Sequence, residues 1–316
     1  MNAIILPLTG NRKLVIGRRY VYPAFFWAVF CLTLTAAAFA DSRVPIFVSI
    51  LPQKFFVQKI GGDRVDVQVM VRPGANPATY EPKPRQMAAI SRTKIYYAVG
   101  LPFEKAWLEK ISASNREMKI VHTDDGIEKI LMMTHQHHPE AKRHRHEKAE
   151  NQRRGIPDPH IWLSPPLVKI QARHILRALE EVDPAHRAAY QSNYRKFLRD
   201  VDALDTELRV IFAGEKGLRF MIFHPSWGYF ALAYGIEQVP IEIEGKTPGP
   251  AQLKELIAHA KEYDIKVIFA QPQFSAKSAG LIAREIDGQV VFADPLAPDW
   301  ENNLREVAAK FKKALR

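Results

Sequence analysis

Residues 183–214 read DPAHRAAYQSNYRKFLRDVDALDTELRVIFAG, and this stretch decides how the rest of the chain is arranged. Its apolar residues Tyr190, Tyr194, Phe197, Val201, Leu204, Leu208 and Ile211 recur at alternating spacings of four and three, which puts all seven on one helical stripe. Asp183 can cap the helix, and Pro184 suits its first position. The pattern stops before Gly214. At roughly 1.5 Å per residue, such a helix is about 45 Å long, enough to run along two lobes.

On either side of it, strands and helices alternate. Before it, residues 46–50, 65–71 and 95–99 read as apolar, β-rich strands, and 85–91 and 103–111 as helices. After it, 220–223, 239–243, 267–270 and 290–293 read as strands, and 253–263 and 276–286 as helices. Trp300, Leu304, Ala308, Phe311 and Leu315 form the stripe of a last helix. Such alternation implies mostly parallel sheets with helices on their faces. The expected fold class is therefore α/β: two lobes, each a mostly parallel sheet flanked by helices, joined by one long backbone helix. The expected divisions are 1–40, a signal peptide; 41–182, an N-terminal lobe carrying a polar loop at 134–155; 183–213, the linking helix; and 214–316, a C-terminal lobe. The two halves share no sequence repeat.

A length of 316 residues, 47% hydrophobic and 25% charged, suits two folded domains. Residues 1–40 hold Arg12, Lys13, Arg18 and Arg19, no acidic residue, and an apolar run that ends in Ala38-Phe39-Ala40. This pattern predicts export and cleavage before Asp41, with an uncleaved membrane anchor as the alternative. Cys31, the only cysteine, lies inside this segment beside the bulky Phe30, which disfavours lipidation. The mature chain then has no disulfide, and any metal it binds must use His, Asp, Glu or water. The net charge of +11 is spread along the chain, apart from residues 142–154, and no aromatics interleave with it for base stacking. No nucleic-acid partner is expected, and the protein is expected to be a monomer.

Three candidate metal ligands share one kind of address. His224 follows the 220–223 strand, Asp294 follows the 290–293 strand, and His160 sits in the proline-bounded turn Pro157-Asp158-Pro159-His160. Ligands of open α/β sheets bind beyond the carboxyl ends of the strands. Two imidazoles and a carboxylate suit Zn²⁺. Singly, each residue also fits a turn or a helix cap. The loop at 134–155 adds His135, His137, His138, His144 and His146, five of the chain's 11 histidines. Imidazoles that are largely uncharged at neutral pH can coordinate weakly and exchangeably from such a polar segment.

Six segments together resemble the metal-binding solute-binding proteins of ABC importers, the zinc members most. They are SILP at 49–52, RPGANPATYEP at 72–82, GLPFE at 100–104, DPHIWL at 158–163, FHPSW at 223–227 and ADPL at 293–296. The resemblance implies a periplasmic protein that captures zinc and delivers it to the importer's membrane permease. It implies His160, His224 and Asp294 as ligands. It makes Mn²⁺ the lesser fit, because manganese members tend to carry a carboxylate where His224 stands. The His-rich loop is likewise a feature of zinc members.

One position departs from the pattern. Ala78 stands where the family has a histidine, which leaves three protein ligands. The fourth position then falls to water, to a loop histidine or to Glu81, whose usual role is that of a buried hydrogen-bonding partner. Two other functions follow from an open site. One is a periplasmic zinc buffer or chaperone. The other is a zinc hydrolase with metal-bound water and Glu81 as general base. No His-Glu-x-x-His motif or nucleophile elbow supports the hydrolase, so the chain is expected not to be an enzyme.

Overall fold

The computed structural model describes residues 43–132, 156–214, 218–242 and 248–314. The predicted signal segment, the His-rich loop and Leu315 lie outside the described residues. Among the described residues no helix is long and apolar enough to cross a membrane.

The first half forms β1 (Val44–Val48), α1 (Leu51–Gly61), β2 (Val65–Val69), α2 (Pro84–Ile90), β3 (Ile95–Ala98), α3 (Pro102–Ser114), β4 (Lys119–His122) and α4 (Pro165–Val182). A 3-10 turn at Pro184–His186 leads into α5 (Arg187–Ile211). The second half forms β5 (Arg219–Ile222), α6 (Gly228–Tyr234), β6 (Glu237–Pro240), α7 (Pro250–Glu262), β7 (Val267–Ala270), α8 (Lys277–Glu285), β8 (Gln289–Phe292) and α9 (Trp300–Ala314).

Each half builds a four-stranded, wholly parallel sheet, and the strand orders correspond: β2-β1-β3-β4 and β6-β5-β7-β8. The inner strands β3 and β7 are buried along their whole length, while the edge strands β4 and β8 are half exposed. Parallel strands covered on both faces need apolar residues on both, which the runs IYYA and VIFA supply. Pro84, Pro102, Pro165 and Pro250 each open a helix, where a missing N–H forfeits no helical hydrogen bond.

The second sheet shows how alternation divides the core. Phe220, Ile222, Val267 and Phe269 face a core that is continuous with the first half. Met221, Phe223, Ile268 and Ala270 face a separate cluster with α7 and α8. Helix α5 stitches the halves together. Tyr190, Phe197, Val201, Leu204 and Leu208 of its predicted stripe are buried, and Tyr194 and Ile211 pack partly buried against the same core. Phe197 meets Phe55 and Phe56 of α1 at ring-centroid distances of 6.3 and 5.8 Å. Both phenylalanines in turn meet Trp300 of α9, at 6.1 and 5.1 Å.

Several boundaries differ from the sequence reading. The strands read at 65–71 and 239–243 end earlier, at Val69 and Pro240. Asp183 makes no side-chain bond to the helix backbone. Its carboxylate instead holds the Nδ1 atom of His186 at 2.7 Å and accepts a 2.5 Å hydrogen bond from the Tyr190 hydroxyl. The first turn is accordingly 3-10, and the α-helix starts at Arg187.

Phe197→Ala is expected to destabilise the protein by about 3–5 kcal/mol, because it opens a cavity where α1, α5 and α9 meet. Urea unfolding followed by circular dichroism measures this, and a cost below about 1 kcal/mol would show that the aromatic junction does not hold the halves together.

Candidate metal site

The carboxyl ends of β5, β7 and β8 lie side by side, and the chain leaves each of them into a loop that carries polar side chains. His224 comes two residues after β5, Gln271 directly after β7, and Asp294 two residues after β8. His160 arrives from the other half, on a turn followed by the 3-10 segment Ile161–Leu163. That turn is fastened to the second half by two indoles. The Trp162 Nε1–H donates to the Pro295 carbonyl at 2.7 Å, and the Trp300 Nε1–H donates to the Trp162 carbonyl at 2.6 Å. The Tyr229 hydroxyl adds a third tie to the Asp158 carbonyl at 2.9 Å.

The turn brings His160 to His224, with ring centroids 5.2 Å apart and planes at 71°. Each imidazole is held through Nδ1 by a buried carboxylate. His160 Nδ1 lies 2.7 Å from Asp158 Oδ1, which also accepts the His160 backbone N–H at 2.8 Å. His224 Nδ1 lies 2.6 Å from Glu242 Oε1. An Nδ1–H donated to a carboxylate leaves Nε2 unprotonated and aimed elsewhere, the arrangement found behind metal-binding histidines. Gly228 makes room for this, since a Cβ there would come within 2.9 Å of Asp158 Oδ2. Burial lowers the pKa of His224, and the neighbouring His160 lowers it further, against the opposing pull of Glu242. The neutral, metal-competent imidazole is thereby favoured.

Asp294 is placed differently. Its Oδ1 accepts hydrogen bonds from Gln273 Nε2 at 2.7 Å and from the Leu296 N–H at 2.9 Å. Among the described residues no three His, Cys, Asp or Glu side chains converge closely enough to hold a metal ion. The structure thus pairs the two histidines and leaves Asp294 outside a closed cluster. Ala78 and Glu81 are both exposed on the 72–83 loop, so Glu81 is not the buried hydrogen-bonding partner expected of it. His135, His137, His138, His144 and His146 lie outside the described residues. The chain that flanks them is paired, with Leu131 bridging Pro157 and the Met132 N–H donating to the Ile156 carbonyl at 2.9 Å.

Sequence reasoning missed Asp158, Glu242, Gln271, Gln273 and Phe274. Asp158 carried a signal, an acid two residues before a candidate ligand, where its carboxylate can reach both the backbone and the ring. Gln271 accepts the His224 N–H at 3.1 Å and donates to its carbonyl at 2.5 Å. It sits one residue past a strand, the same kind of address that singled out His224. Glu242 has that address too, two residues past β6, but the strand read at 239–243 ran through it and hid it.

An α/β protein with two parallel sheets, a connecting helix and a pair of carboxylate-held histidines where the halves meet is built as a two-lobed metal-binding protein. The family model described as zinc-uptake complex component A, periplasmic, matches residues 46–314, and the chain belongs to that family. The zinc-binding protein AdcA of Streptococcus pyogenes is 24% identical over 302 residues, 93% of this chain, and the match spans only 58% of AdcA. A crystal structure of ZnuA superposes with a TM-score of 0.79 at 43% identity, covering 87% of this chain and all of the other (100%). A zinc-bound ZnuA deletion mutant gives 0.77 at 43% identity, covering 87% and 98%.

Trp162→Phe removes the donor to the Pro295 carbonyl and replaces the buried indole by a smaller phenyl ring. The unpaired buried acceptor alone is expected to cost about 1–3 kcal/mol, and the lost ring volume adds to it. An unchanged urea midpoint would show that the tie contributes nothing to joining the halves.

Proposed function

We propose that this protein captures Zn²⁺ between its lobes, with His160, His224 and Asp294 as the protein ligands, and hands it to the membrane permease of an ABC importer from the periplasmic side. The observation that carries this reading is the pair of facing imidazoles, each held at Nδ1 by a buried carboxylate. Nitrogen donors so held suit zinc better than Mg²⁺ or Ca²⁺, which prefer oxygen. Family membership supports the cargo and the compartment.

Asp294 enters this reading as the group that completes the grip. It stands two residues past β8, and among the described residues only its Oδ1 accepts hydrogen bonds. Two imidazoles and one carboxylate leave four-coordinate zinc with a position for water. A carrier gains from that vacancy, because a site that binds too completely releases too slowly. Export through a cleaved N-terminal signal fits the charged, then apolar, first 40 residues.

Titration of the protein with zinc against a competing chelator tests the reading. One ion per chain is expected, and His160→Ala, His224→Ala and Asp294→Ala are each expected to weaken binding more than tenfold, since losing a ligand costs at least as much as losing the group that orients it (about 10–100-fold). Absence of binding at micromolar zinc would sink the proposal. Ala78→His is expected to tighten binding by adding a fourth donor, and an unchanged affinity would mean that another protein group already fills that position.

A further inference from the structure

The loop from β7 to α8 reads Gln271-Pro272-Gln273-Phe274, and it touches both sides of the site. Gln271 holds the backbone of His224 from both ends of its amide. The Phe274 ring stacks on the His224 imidazole at 4.6 Å and 26°. Gln273 donates to Asp294.

The bond from Gln273 is informative because of what it leaves over. Both donors to Asp294, Gln273 Nε2 and the Leu296 N–H, fall on Oδ1, and among the described residues Oδ2 accepts no hydrogen bond. The amide of Gln273 can face the carboxylate in one orientation only. Turned over, its carbonyl would oppose a second acceptor. Its Oε1 is therefore fixed on the far side of the same amide, where it is buried and meets no donor among the described residues. The amide keeps this orientation, and with it the bond to Asp294, despite the cost of a buried oxygen without a donor.

We propose that Gln273 is a positioning residue of the metal site. It ties down one oxygen of Asp294 so that the other is presented to the ion. The inference rests on the zinc-capture reading.

The test uses the full chain and two metals. Zinc affinity is measured by chelator competition, and Co²⁺ serves as the coloured probe of coordination. Gln273→Met keeps the length of the side chain and removes the hydrogen bond to Asp294. Gln273→Glu keeps the length and sets an acceptor against Asp294. Both are expected to lower zinc affinity about 10–100-fold, as loss of an orienting partner does. Both are also expected to change the visible Co²⁺ spectrum, while the urea midpoint of the metal-free protein stays near wild type.

Wild-type zinc affinity and Co²⁺ spectrum in both variants would overturn the inference. If Gln273→Met does not fold, Gln273→Glu decides alone. Asp294→Ala separates the two levels of the argument. If Asp294→Ala weakens zinc and Gln273→Met does not, only the role of Gln273 fails. If Asp294→Ala binds zinc as the wild type does, the capture reading itself fails at that ligand.

Discussion

The site depends on a clasp between two tryptophans. Trp162 follows His160 by two residues and donates to the carbonyl of Pro295, the residue after Asp294. Trp300 opens α9 and donates to the carbonyl of Trp162. Both indoles are buried, so neither bond can be exchanged for water without cost. The same Trp300 ring lies against Phe55 and Phe56 of α1, which pack on Phe197 of α5. The clasp that sets His160 beside the second half is thus an extension of the aromatic packing that joins the halves. Relative motion of the halves would have to break buried hydrogen bonds, which favours small adjustments of loops over wide hinge opening.

The two sheets share a strand order, and so each has a crevice at the carboxyl end of its inner strands. They use it differently. In the first half the crevice is filled from within. The Glu104 carboxylate accepts hydrogen bonds from Ser49 Oγ and from the N–H groups of Val99, Gly100 and Leu101. Burial raises its pKa, and those hydrogen bonds pull it back. Asp124 Oδ1, two residues past β4, is buried and left without a hydrogen-bond partner among the described residues. In the second half the corresponding crevice holds His224, Gln271 and Gln273, and part of their hydrogen-bonding capacity is unspent. On the proposed reading, the metal site gathers on the sheet whose strand ends carry His224 and Asp294, and takes a single turn from the other half.

What could be read from the sequence follows from how each signal is encoded. The stripe on α5 and the apolar runs of β3 and β7 are local patterns, and they stand in the structure where they were read, give or take a boundary. Helix α1 was obscured because Gln53 lies on its buried face, where it accepts the N–H groups of Ser49 and Ile50 and donates to Thr123. Helix α4 was not read although Val168, Ala172, Ile175 and Leu179 recur at spacings of four, three and four, a helical stripe. The runs in β4 and α6 are too short to show a period. In the site, strand-end residues were legible one at a time. Glu242 was hidden by a strand read too long, and Gln273 was not legible because its meaning lies in which way an amide turns.

A carrier of metal ions faces opposing demands, tight capture and ready release. The arrangement of this site bears on both. The His160 and His224 rings are each held at Nδ1, so on the proposed reading little ordering would be left for them on capture. Asp294 stands apart from the pair, held by one oxygen, and Ala78 adds no donor. Preorganising two donors lowers the entropy lost on capture. On the proposed reading, leaving the remaining positions to Asp294 and to water would keep part of the coordination shell exchangeable. On that reading Ala78, which can donate nothing to a metal, would shift the balance toward release.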